Sequence, residues 1–221
     1  MAKTSFSGVT GNAAGKMGGL VFVRLPSGTS SMRDRTFGAN PRTPAQLAWR
    51  SAMAQATKLY STLSDAEFAA WQEYVQREHR TRPGYSLLPT PRVNNVFVAL
   101  TAKFIAVNPG AEPSRMPPAV VFTGDGVSVV AEGFAGVVRF TASGPNSADI
   151  VTELLLQPLA SPGQRGAADK YRGQGYHAFE PGAMSVDVPC RKGVALAGAR
   201  FVQRSTGQAS ALVPLGRVTV G

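Results

Sequence analysis

The 221-residue sequence predicts an α+β chain. It reads as an N-terminal extended arm and β-hairpin, a helical hairpin within a small three-helix unit, and a C-terminal antiparallel β-sandwich. Three observations predict this. Two helix starts with capping signatures stand in tandem between Asn40 and Arg80. The chain before them is basic and Gly-rich. Beyond Pro117, short apolar runs recur between Gly- and Pro-containing turns, as antiparallel strands do. The resulting division is a basic arm and hairpin over 1–39, a helical region over 40–110, a Pro-rich linker over 111–118 and a sandwich domain over 119–221.

The arm and hairpin come first. Residues 1–18 are mostly Gly, Ser, Thr, Asn and Ala with two lysines, which suits an extended segment ordered by a partner. Gly19 to Leu25 is a short β run, Pro26-Ser27-Gly28 a turn, and Ser31 to Phe37 a returning strand. Arg24, Arg33 and Arg35 would make one face of that hairpin cationic. A lone hairpin is marginal in water, so it must dock on something. The stretch GNAAGKMGG superficially resembles a phosphate loop, but it is one residue short and Met17 stands where Ser or Thr would bind Mg²⁺.

The helices follow. Thr43 is placed as N-cap, Pro44 as first helical residue and Gln46 as the third, a capping box with its preferred proline. Trp49, Met53, Ala56 and Tyr60 recur at helical spacing and read as core. Ser64 and Glu67 repeat the capping box, Leu63 is placed to staple onto Phe68, and Phe68, Trp71 and Val75 line the next face. The short connection favours antiparallel packing. Thr81 to Pro89 reads as a loop. Thr90-Pro91 starts a third pattern through Val93, Phe97, Leu100, Phe104 and Val107, ended by Asn108-Pro109-Gly110.

Strand signals then recur at 120–123, 127–131, 137–142, 150–157, 184–188, 194–203 and 211–220. About seven strands in roughly a hundred residues is the pattern of an immunoglobulin-like or fibronectin type III-like sandwich, with a small barrel as the alternative. The polar, Gly-rich stretch 161–175 reads as a long exposed loop, where Lys170, Tyr171 and Arg172 could meet a partner.

Charge points to the N-terminus. The chain carries a net +10, and in residues 1–42 six cations (Lys3, Lys16, Arg24, Arg33, Arg35 and Arg42) face the single carboxylate of Asp34. Such a segment favours an acidic protein surface or nucleic acid. These six residues are the candidate partner-binding set. Thr43, Gln46, Ser64 and Glu67 are structural caps.

No catalytic constellation is visible, and no enzyme activity, metal or cofactor is expected. Cys190 is the only cysteine, which excludes an intrachain disulfide or a CxxC metal site. His79 and His177 are the only histidines. A Cys190–His177 nucleophile pair has no elbow or family signature around it. The start MAKTSFSGVTGNAAGK lacks an apolar core, so no secretory leader is expected, and no apolar run is long enough to insert in a membrane. For nucleic acid, Phe6, Phe22 and Phe37 are too sparse for a stacking platform, and the second helix starts acidic, which suits a recognition helix poorly.

The Gly-rich start with a Val/Phe/Arg hairpin, Asn40 to Gln46 (NPRTPAQ) and Leu63 to Trp71 (LSDAEFAAW) together resemble proteins encoded in tailed-phage and prophage genomes. The resemblance covers roughly residues 15–80, and the sandwich matches in architecture only. It implies a virion structural protein made in the host cytoplasm and present in multiple copies, with phage capsid or tail proteins as partners and a homo-oligomer as one form. The leading version is a capsid cement or decoration protein. The alternatives are a tail, baseplate or fibre component and, from another class, a non-specific DNA-binding accessory protein. No catalytic residues come with it.

Overall fold

The computed structural model describes residues 2–4, 14–25, 30–36, 42–78 and 91–221. The expected Pro26-Ser27-Gly28 turn, the loop 81–89, the Thr90 cap, and the residues Phe6, Phe37 and His79 lie outside them. The chain divides into two compact units, 1–43 and 44–221.

The first unit is an antiparallel sheet of β1 (Ala2–Thr4), β2 (Gly15–Met17), β3 (Leu20–Arg24) and β4 (Ser30–Asp34), in the order β1-β4-β3-β2. The expected hairpin is its centre, but it is not alone. Segments read from sequence as an unpaired arm supply both outer strands. Met17 turns through Gly18-Gly19 to pair with Leu20, while Ala2 to Thr4 pair with Met32 to Ser30. The physical reason is backbone satisfaction: a two-stranded ribbon leaves both edges unpaired, and short polar segments can close those edges without an apolar pattern of their own.

The second unit opens with α1 (Pro44–Tyr60), α2 (Asp65–Glu78) and α3 (Val93–Val107). Pro44 begins α1, where its missing N–H costs nothing. The turn after α1 is held by hydroxyls, Ser61 Oγ donating to Lys58 O at 2.7 Å and Thr62 Oγ1 to Leu59 O at 2.8 Å. At the start of α2 a capping box forms. The Ser64 N–H donates to Glu67 Oε2 at 2.7 Å, and the Glu67 N–H donates to Ser64 Oγ at 3.4 Å. α3 starts two residues past Pro91, with Arg92 as an extended N-cap that makes no side-chain cap bond.

Helix packing departs from the expected stripe. α3 is the centre: Phe97 is fully buried and meets Trp71 edge-on at 5.0 Å and Tyr60 at 5.6 Å. α1 buries only Ala52 and Ala56, small residues that let it lie close to α3. Trp49 and Met53, expected in the core, are 41% and 38% exposed. Phe68 is also exposed, although its ring meets Tyr60. Trp71 and Val75 are buried as expected, and Tyr74 joins them in the core. Spacing marked the side of α1 that includes the buried Ala56, but Trp49 and Met53 in its N-terminal half stay exposed.

The strands β5 (Val129–Phe134), β6 (Val137–Ala142), β7 (Ile150–Leu159), β8 (Arg172–His177), β9 (Ser185–Pro189), β10 (Gly193–Gln203) and β11 (Val213–Val220) form a sandwich. One sheet runs β5-β6-β9 and the other β11-β10-β7-β8. Their inner faces share a core that includes Phe140 and Val138 on one side and Leu154, Leu156, Ala197 and Phe201 on the other. The fourth strand pairs with β7. An immunoglobulin constant-type arrangement would place it beside β9, so the order is fibronectin type III-like. Two strand expectations are corrected. Residues 120–123 are irregular, and β8 begins within the stretch read as an exposed loop. β8 escaped because Arg-Gly-Gln-Gly-Tyr-His has no apolar alternation; as an edge strand it needs only one partner.

The stretch 111–118 does not divide the helices from the sandwich, which belong to one unit. The Arg115 carbonyl accepts from Trp71 Nε1 at 2.8 Å, and its guanidinium bridges to Glu67 at 2.7 Å and bonds to Thr62 O. Asn108 Nδ2 donates to Arg204 O at 2.8 Å, and Gln208 Nε2 donates to the Tyr74 hydroxyl at 3.0 Å in a buried contact. Gly207 adopts φ +73°, and a Cβ there would overlap the Leu100 carbonyl oxygen and stand 2.9 Å from Phe104 N. Among the described residues, no helix is long and apolar enough to cross a membrane.

Candidate functional site

The N-terminal sheet sorts its side chains by register. Directly opposed residues of an antiparallel pair share a face, and the face alternates along each strand. Lys16 is opposite Val21, and Val21 opposite Arg33. Arg35 continues the register by donating its N–H to Gly19 O at 2.7 Å, which puts it on the face of Arg33. One face therefore carries Lys16, Arg33 and Arg35 around Val21 and Val23. The opposite face carries Met17, Leu20, Phe22 and Met32, with Arg24 and Asp34 at its two ends.

The candidate cations separate accordingly. Lys16, Arg33 and Arg35 come together on one face, all exposed. Arg24 is on the other, so the expectation of a common face for Arg24, Arg33 and Arg35 is corrected: Arg24 stands three residues, an odd step, from Val21, which is opposite Arg33. Lys3 lies opposite Ser31 in the register of β1 and β4. Arg42 is exposed just before α1. Asp34, the one carboxylate of residues 1–43, sits away from the three-cation face.

A second surface was missed by sequence reasoning. α1 carries Arg50 and Lys58 and no Asp or Glu, and exposes Trp49 and Met53. The missing signal was the pairing of small with large residues. Ala52 and Ala56 mark the contact stripe on α3 because close approach needs small side chains, and the large neighbours are left beside it. Of the cap residues, Ser64 and Glu67 form their box. Arg115, followed by the Ser64 N–H, holds the Glu67 carboxyl down at about 2. Thr43 immediately precedes α1, and Gln46 lies in its first turn.

The remaining polar clusters tie elements together. Glu153 on β7 takes a bidentate grip from Arg200 on β10, at 2.6 and 3.0 Å, and Lys103 of α3 approaches it at 3.9 Å. Burial, then the Arg200 charge, lowers the Lys103 pKa; the loose contact with Glu153 does not offset them. Tyr176 is pushed up to about 12 by burial and then by the Glu153 charge. Lys103 brings α3 near the outer face of β7 at Glu153, and the segment before η1 lies on that face at Gln157, whose Oε1 accepts from the Ala167 N–H at 3.2 Å. The carboxylate of Asp125 accepts from Gly126 N, Ser147 N and Oγ, and Asn146 Nδ2, closing the loops before β5 and β7. Among the described residues, no three His, Cys, Asp or Glu side chains are grouped to hold a metal ion. Burial lowers the His177 pKa, and the Cys190 N–H donates to Gly136 O. A cleft of about 480 Å³ between α2, α3 and the β10–β11 turn includes Tyr74 and Gln208 in its lining, and these are bonded to each other.

Comparison with protein-family models, curated proteins and solved structures finds no match.

Proposed function

We propose that the protein is a structural component of a tailed-phage particle, a capsid cement or decoration protein held by its N-terminal unit. The observation that carries this reading is the three-cation face of Lys16, Arg33 and Arg35, on a sheet that forms a compact unit of its own. An acidic subunit surface complements such a face, and many copies on a lattice multiply a weak contact into stable attachment. The resemblance of Asn40 to Gln46 and Leu63 to Trp71 to phage-encoded proteins supplies the context. In this reading the sandwich, tied to the helices through Asn108, Gln208 and Lys103, is the part presented to neighbours or solvent.

The test is location and copy number in purified particles, measured by quantitative mass spectrometry against the major capsid protein. A ratio set by capsid symmetry supports decoration, a few copies per particle supports a tail or baseplate role, and absence from particles ends the proposal. The same cationic face favours a second reading, a non-specific DNA-binding accessory protein. Its signature is an affinity for duplex DNA that falls steeply with salt.

A further inference from the structure

We infer that residues 119–123 are a self-association site, where the segment pairs as an antiparallel strand with the same segment of a second copy of this chain. This inference stands apart from the particle reading. The run Ala119-Val120-Val121-Phe122-Thr123 is rich in strand-forming residues and carries no charge. Its backbone is unused: among the described residues, no hydrogen bond reaches the main chain of 119–124. The segment is held in place all the same. The Pro118 carbonyl accepts from Arg77 Nη2 at 3.5 Å just before it, and the Phe122 side chain packs against the sandwich core. Gly124 approaches Ser210 and Phe201 just after it. Its outer side is open. Val120 is 77% exposed, more than any other large apolar side chain described, and Val121 is 51% exposed.

The segment itself selects a second copy as its occupant. It is uncharged, so two copies of a chain with net charge +10 meet here without opposing like charges. Pro117 and Pro118 on one side and Gly124, with φ +127°, on the other confine pairing to the same residues in each copy. A two-fold pair also satisfies the unused backbone of both chains at once. Symmetry then fixes the register. Opposed side chains share a face and the face alternates along a strand, so a two-fold antiparallel pair must set one residue opposite itself. With the axis at Val121, Val120 stands opposite the partner's Phe122. Each exposed valine then covers a half-buried aromatic ring, and the symmetry makes that pair occur twice. An axis at Phe122 would set Val120 against Gly124 and leave it uncovered. An axis at Val120 would bring in Pro118, which has no N–H to donate. Pairing straightens the bend at Ala119 and Val120, whereas residues 121–125 already run without bend or turn.

So short a ribbon associates weakly in free solution, and its dimer depends on concentration. The experiment is register-specific cross-linking of the full chain, in a Cys190→Ser background that removes its own thiol. Val121→Cys places two thiols directly opposite one another, at a Cα separation of about 4.5–5.5 Å that a disulfide spans. Val120→Cys places them two residues out of register, about 8 Å apart and beyond that reach. Under air oxidation at about 200 µM, Val121→Cys should form a disulfide-linked dimer at least about tenfold faster than Val120→Cys. Random collision gives the opposite order, because position 120 is the more exposed. Sedimentation equilibrium of the parent chain from about 10 µM to about 1 mM should show a monomer–dimer equilibrium. Val121→Lys sets two like charges directly opposite and should weaken it at least about fivefold. Circular dichroism and melting curves establish that each variant is folded. Equal cross-linking rates, a faster Val120→Cys chain or no cross-linking in either overturns the inference. So does a parent monomeric at every concentration, or a Val121→Lys chain that associates as the parent does.

Discussion

Replacing Gly207 with Ala tests whether the sandwich is built onto the helices or merely follows them. Gly207 has φ +73° and faces the backbone of α3 at Leu100 and Phe104. An alanine there meets two costs. The left-handed backbone costs an L-residue about 1–2 kcal/mol. The added Cβ also meets helix backbone atoms, which cannot rotate away as a side chain would, and overpacking of this kind costs about 1–3 kcal/mol. Gly110 provides the control, since its φ is +85° and nothing lies within 4 Å of a Cβ placed there. Gly110→Ala should show the first cost alone. At about 3 °C per kcal/mol for a unit of this size, Gly110→Ala should lower Tm by about 3–6 °C and Gly207→Ala by about 6–15 °C. Differential scanning calorimetry on both variants reads the difference. Equal losses would mean that the β10–β11 turn does not press on α3, and the single-unit account of residues 44–221 would fail.

Two further outcomes follow from the same geometry. Trp71→Ala should cost about 3–5 kcal/mol in chemical denaturation, whereas Trp49→Ala should cost less than about 1 kcal/mol, because only Trp71 is enclosed. Similar losses would return Trp49 to the core. Glu67 has a folded pKa of about 2 against an ordinary value of 4.5, so its contribution to stability is complete above 4.5 and lost as pH falls toward 2. An NMR titration of its carboxyl carbon should show that low midpoint, and Arg115→Gln should raise it; an unmoved midpoint would remove Arg115 as the main cause.

Much of the fold was legible in the sequence because its signals are local. Pro44 marks the start of α1, Ser64 and Glu67 mark the start of α2, and the apolar runs of β6, β7 and β10 identify buried strands. Elements that depend on a neighbour left no such mark. β1, β2 and β8 are short edge strands whose residues, such as Gly15-Lys16-Met17, read as loop or arm until a partner strand is placed beside them. The stretch 111–118 reads as a linker because prolines punctuate it, yet Arg115 bonds to Thr62 and Glu67 about fifty residues earlier. No spacing rule anticipates that contact. The candidate surface was half visible. Composition placed half of the net charge in the first 42 residues, but only the register shows that Lys16 and Arg33 flank Val21 while Arg24 faces away. Trp49 and Met53 show the limit of periodicity: it identified the apolar side of α1 but not how far that side is covered.

The central claim is that the cationic face of the N-terminal sheet attaches this protein to a particle. Its most direct test is particle-bound protein in the Lys16→Asp, Arg33→Asp, Arg35→Asp triple variant, measured beside the parent chain with calorimetry on both. The account predicts loss of at least about nine-tenths of the bound copies, as the removal of a repeated electrostatic contact should cause, with the melting of residues 44–221 unchanged. A variant that binds particles as the parent does, while equally folded, would contradict it.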